Sequence, residues 1–182
     1  GELIIKEICT RKDFPYGKFT EMIGRKYPDD YRGWDDTYLC ALADELKTED
    51  AIPFLIRSLK IDGDFICERA AEALSRIGTD KAVEAIGREY LNEGFHYRIF
   101  AISALENIKS EKCEELMLEL LPKEKDVTNK TALGLGLCKL FSVRGIPMVL
   151  SLLKYGYDTT MVNLKEAVYV NHVVNSLEHP EM

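Results

Sequence analysis

No apolar run in this 182-residue chain approaches the roughly 18 to 20 residues that cross a bilayer. Its first residues, Gly1-Glu2-Leu3-Ile4-Ile5-Lys6-Glu7, lack the basic flank and long apolar stretch of a secretory leader. Those absences point to a cytoplasmic chain, and Gly1 in place of Met reads as a scar of tag removal with the native start upstream. Six prolines and twelve glycines are too few for a loop-rich all-β fold, and they fall mostly between apolar-periodic segments, which favours helices. There is no surplus of base either: 24 Lys and Arg stand against 31 Asp and Glu, for a net charge of −7, so a nucleic-acid backbone is an unfavourable partner. C-x-x-C pairs are missing. Cys9, Cys40, Cys67, Cys113 and Cys138 sit singly inside helical patterns and read as small buried hydrophobes of a reducing compartment.

The motifs that carry chemistry are absent as well: no G-x-G-x-x-G, P-loop, H-E-x-x-H or G-x-S-x-G occurs. His96, His172 and His179 are scattered, with no second ligand at metal spacing. Carboxylate pairs such as Glu114-Glu115 and Asp29-Asp30 are expected on solvated faces in so acidic a chain. The reading is therefore of no catalytic residue, no metal and no cofactor. What the chain does have is 46% hydrophobic and 30% charged residues, enough for a real core.

It also has a repeat. A small residue followed by a branched aliphatic recurs as Ala41-Leu42, Ala73-Leu74, Ala104-Leu105, Gly136-Leu137 and Ala167-Val168, at spacings of 32, 31, 32 and 31. A second register runs alongside: Ile52, Val83, Glu114 and Ile146; then Leu55, Ile86, Met117 and Val149; then Leu59, Tyr90, Leu121 and Leu153. Within a unit the apolar positions follow helical spacing, as in Ala70, Ala71, Leu74 and Ile77, so each unit is predicted to be two short helices. Thr48-Glu49-Asp50, Gly78-Thr79-Asp80, Ser110-Glu111-Lys112 and Ser142-Val143-Arg144 mark the joints, where Ser, Thr or Asp can cap the second helix. Polar turns at Asp62-Gly63-Asp64, Asn92-Glu93-Gly94 and residues 123–126 separate the units. A lone helix pair cannot bury its apolar face, so stacking must supply the core, with Leu42, Leu74, Leu105 and Leu137 along one spine. Ala70, Ala71, Ala73, Ala101 and Ala104 suit close stacking, and Gly134 and Gly136 predict a close helix contact rather than a hinge.

Residues 66–83, beginning Ile66-Cys67-Glu68-Arg69-Ala70-Ala71-Glu72-Ala73-Leu74, resemble the HEAT-like repeat of phycobilisome lyase subunits and bacterial scaffolds. The resemblance implies an all-α, right-handed α-solenoid, an α-α superhelix of helix pairs. It would place repeats at about 37–65, 66–96, 97–127 and 128–160 and a half repeat at 161–176, after a degenerate helical cap at 1–36 and before a tail at 177–182. The family usually has Arg at the second position of the first helix; Arg98 and Lys130 match it, whereas Cys67 and Asp35 depart.

Such a solenoid is expected to line its concave face with second helices. Removing the core registers leaves Pro53 and Arg57, Glu84 and Arg88, Glu115 and Glu119, and Pro147 and Ser151, each pair four apart on one helix face. Stacked, they form a ribbon running from basic to acidic, suited to a peptide or protein more than to a uniform polyanion. The amino end crowds Phe14, Tyr16, Phe19, Tyr27, Tyr31, Trp34 and Tyr38 into a short stretch, either as a capping layer or as an aromatic anchor in which Tyr31 and Trp34 meet a partner. The function expected is a protein-binding scaffold or adaptor using Arg57, Glu84, Arg88, Glu115 and Glu119. Two alternatives follow from the resemblance: an enzyme accessory that binds a bilin, and a nucleic-acid binder akin to HEAT-like DNA glycosylases, which the net charge disfavours.

Overall fold

The computed structural model describes residues 2–25 and 34–178, and within them every regular element is helical. In chain order these are α1 (Glu2–Thr10), α2 (Tyr16–Gly24), α3 (Trp34–Leu46), a 3-10 turn (Glu49–Ala51), α4 (Ile52–Ser58), α5 (Asp64–Ile77), α6 (Asp80–Tyr90), α7 (Phe95–Leu105), α8 (Glu111–Leu120), α9 (Val127–Lys139), α10 (Ile146–Tyr155) and α11 (Leu164–Val174). None of them is long and apolar enough to cross a membrane.

The joints form for local reasons. The Ser110 hydroxyl accepts from the Cys113 N–H at 3.1 Å, Thr48 accepts from Asp50, and Ser142 accepts from Gly145 at 2.8 Å, each answering an amide that a helix start leaves free. Asp126 does the same for α9 through the Asn129 N–H. Pro53 and Pro147 stand in the first turns of α4 and α10, where a missing N–H costs nothing. Gly78 ends α5 at φ 60°, a left-handed conformation that glycine adopts without a Cβ clash.

Two compact units divide the chain, residues 1–88 and 89–182. In the first, α3 lies along α5, α1 and α2 rest on α3, and α4 packs on α5. The two helices of the amino-terminal segment differ in how well they are anchored. Phe19 and Ile23 of α2 are buried, whereas Leu3, Ile4 and Ile8 of α1 face solvent. In the second unit α9 lies between α7 and α11, with α8 and α10 against it. Small residues allow the approach: a Cβ on Gly136 would stand 2.2 Å from Met117 Cε and 3.3 Å from Glu106 Cβ, and one on Gly134 would stand 2.9 Å from Leu152 Cδ1. Both glycines are therefore sites of close helix contact.

The apolar columns supply the cores. Leu55, Leu59, Leu74 and Ile86 are fully buried in the first unit, as are Leu105, Met117, Leu137 and Val168 in the second. Leu42 is the exception in its column and is only half-buried. Glu114, the polar member of the second register, is accommodated by the Ser142 hydroxyl and the Arg144 guanidinium, each at 2.5 Å, and the Arg144 bond holds its carboxyl below the ordinary value.

Polar joins repeat with the same period. Lys81 pairs with Glu49 at 2.7 Å over 32 residues, Lys139 with Glu106 at 2.7 Å over 33, and Asn171 donates to the Ser142 carbonyl at 3.1 Å over 29. Cys67 and Arg98 occupy one position of the repeat and do one job by different chemistry. The Cys67 thiol meets the carbonyls of Ser58, Leu59 and Ile61 beyond α4, and the Arg98 guanidinium donates to those of Tyr90, Leu91 and Glu93 beyond α6. Each satisfies acceptors that a helix end leaves without an intrahelical donor. Arg98 also pairs at 3.1 Å with Glu124, whose side chain is wholly buried.

Four of the five thiols are buried, and burial pushes Cys40 and Cys113 up to about 12 and Cys67 and Cys138 up to about 11. They are protonated, inert packing groups at neutral pH.

Candidate functional site

The close approach of α7, α9 and α11 leaves a groove of about 490 Å³ on the second unit. Its floor comes from Cys138 near the end of α9 and from Ala167 and Val170 of α11, with Val162 and Phe141 beside them. The rim is polar: Glu106, Asn107 and Lys109 follow α7, Lys139 ends α9, and Asn163 and Glu166 open α11. Lys139 is neutralised by Glu106. The Lys109 ammonium donates to the Lys139 carbonyl and lies 5.5 Å from the centre of the Phe141 ring, a cation–π contact. The apolar surface continues along α11, because Val170, Val173 and Val174 are about half exposed on one face and Leu177 follows just past the helix end. A contiguous apolar surface framed by charge is characteristic of a recognition site.

A different groove lies on the first unit, between α1, α3 and α5, and it is smaller and more polar, at about 310 Å³. Asp44, Glu45, Arg69, Glu72 and Arg76 line it with Ile5 and Ala41. Arg76 Nε stands 3.2 Å from Asp44 Oδ1, an ion contact without the alignment of a hydrogen bond, and Arg69 pairs with Glu72 at 3.0 Å. Burial pushes the Asp44 carboxyl up despite the Arg76 charge. Both of its bases are thus engaged by its own acids, with Glu45 left over.

The ribbon expected on the second helices is solvent-exposed at all of its positions. Arg57, however, also holds the fold together, because its guanidinium donates at 2.7 Å to the Ile23 carbonyl near the end of α2 and lies 6.0 Å from the Phe54 ring. Glu119 pairs with Lys123 one turn on at 2.5 Å, and Glu115 stands 4.0 Å from Arg144. Glu84 and Arg88 sit on α6 in the first unit. Tyr31 lies outside the described residues, as does the side chain of Trp34. Of the other crowded aromatics, Phe14 and Tyr16 pack on Phe19 at 6.4 and 5.9 Å, and the Tyr16 hydroxyl bonds Thr48 and Asp50 at 2.7 and 2.9 Å. Those contacts tie α2 to the turn at Thr48 and Asp50. Arg57→Glu is thus expected to lower stability by about 1.5 to 3 kcal/mol, the worth of a charged hydrogen bond, whereas Arg88→Glu leaves the thermal midpoint within experimental scatter. Paired melting curves of the two variants check this, and equal midpoints would refute it.

Sequence reasoning missed the groove because it looked for it on the second helices. The available signal was the concentration of Ala and Gly on the first helices. Among the described residues no His, Cys, Asp or Glu cluster is arranged to hold a metal ion. No protein-family model matches the chain, and no curated protein or solved structure is detectably similar to it.

Proposed function

We propose that this chain is a HEAT-like right-handed solenoid acting as a protein-docking scaffold, with the first helices of its pairs carrying the docking surface. The reading rests on the groove bounded by α7, α9 and α11, whose apolar floor runs on into the exposed valines of α11. Within the second unit, Gly134 and Gly136 let the helices around α9 approach closely enough to shape this groove. Another protein is the partner class that suits a neutral, apolar groove within an acidic chain.

The test is co-purification from the native host with the full chain as bait. Phe141→Gln combined with Val170→Gln should cut recovery of the specific partner at least about tenfold while leaving the melting temperature in place, since both side chains are exposed. Loss of the partner on changing Glu115 and Glu119, with the groove variant unaffected, would move the surface to the second helices. A second reading has one observation in its favour. The groove volume falls within the range of small-molecule sites, roughly 300 to 1,000 Å³, so an accessory subunit that binds a bilin would acquire visible absorbance on mixing.

A further inference from the structure

We infer that the groove on the second unit takes an amphipathic α-helix of another protein, lying on the Val170, Val173 and Val174 ridge with acidic side chains turned toward Lys109 and basic ones toward Glu166. The inference rests on the docking reading above and names its ligand class. Val170, Val173 and Val174 stand at i, i+3 and i+4 on α11, with exposures of 45, 57 and 53%, and Leu177 continues the ridge at 40%. Ridges of this kind receive the matching ridge of a second helix.

Backbone chemistry favours a helix over an extended segment. The apolar floor, Cys138, Ala167 and Val170, is helical and its N–H and C=O groups are bonded within the helices, so it offers a strand no main-chain partners; such partners are confined to the helix ends at the rim. An extended peptide would bury its amides unsatisfied on this apolar floor, whereas a helix arrives with its own already paired.

Charge then fixes the face. Glu106 and Lys139 cancel at 2.7 Å, which leaves Lys109 and Glu166 as the groove charges that a ligand meets. Lys109, on the α7 side, bonds a carbonyl and an aromatic ring, both neutral. Glu166 is exposed on the α11 side. A helix with acids along one flank and bases along the other meets both with opposite sign, and the reversed arrangement meets both with like sign. A second copy of this chain fits less well. α11 itself carries one Lys and one acid, Lys165 and Glu166, side by side in its first turn, so it presents no acidic flank and basic flank to a second copy's groove.

The experiment is a display selection against the full chain with two libraries, one of roughly four-turn helices with a randomised face and one of unconstrained linear peptides. The expected winners are helices with apolar residues at i, i+3 or i+4 and i+7 and acids on one flank. Their affinity should fall about tenfold against Val173→Gln with Val174→Gln, and similarly against Lys109→Glu. Reversing the peptide's acids to Lys should restore binding to Lys109→Glu, a rescue that mere damage to the fold would not permit. Winners that are extended, or indifferent to charge, yet lose binding to Val170→Gln would overturn the helix while keeping the groove. Winners indifferent to every groove change would overturn the docking reading itself. Light scattering that showed a dimer broken by Val173→Gln would assign the ridge to a second copy and so reject the inference.

Discussion

Replacing Glu124 by Ala should lower the stability of the second unit by about 3 to 5 kcal/mol, because it strands a partly buried guanidinium and several buried donors at once. The carboxylate sits between α8 and α9 with its side chain fully buried. It accepts from the Tyr90 hydroxyl at 2.8 Å, from Arg98 at 3.1 Å and from the backbone N–H groups of Lys125 and Asp126 at 2.7 and 3.0 Å. Arg98 cannot follow the lost charge, since its other nitrogens are committed to the carbonyls beyond α6. Glu124→Gln keeps the shape and one acceptor oxygen and should cost less. Burial alone would push the Glu124 carboxyl up, but the two N–H groups, the Tyr90 hydroxyl and the Arg98 charge outweigh it and hold the group below its ordinary value. The stabilisation is therefore complete above the unfolded carboxylate value of about 4.3 and is lost as pH falls through the folded one. Urea midpoints taken from neutral to acid pH should show that slope in the wild type and a flatter one in Glu124→Ala. Equal midpoints at neutral pH would mean that the network contributes nothing.

Leu74→Ala should cost about 2 to 5 kcal/mol, with Leu42→Ala costing clearly less, although the two residues hold the same place in the period. Leu74 is fully buried in α5, so truncation removes its contacts and leaves a cavity that tight packing prevents from closing. Leu42 is half-buried on α3, so part of its side chain already meets water and less is lost. Denaturation midpoints of the two variants measured side by side decide the matter. Equal losses would contradict the difference in burial.

The repeat was legible because burial is periodic and a single chain repeats the same packing problem. Cap residues at Thr48, Ser110 and Ser142 were legible for the same reason, since a helix start always leaves the same amides free. Gly134 and Gly136 announced close contact by the absence of side chains where a helix would prefer them. Leu42 shows the limit: a column gives identity, not depth, and depth depends on what covers each helix. The groove was harder still. Nothing in the residue types of Val170, Val173 and Val174 separates them from core valines, and their exposure follows only from how α11 is placed. Arg57 is exposed as its register implies, but its bond was not legible, because the carbonyl it answers, that of Ile23, lies 34 residues away.

The sulfurs that lie inside the helix layers give this chain an internal clock. A maleimide or iodoacetamide can reach Cys40 or Cys67 only when the first unit parts, and Cys113 or Cys138 only when the second does. Labelling rates followed sulfur by sulfur would therefore count the openings of each half separately, with no foreign reporter introduced.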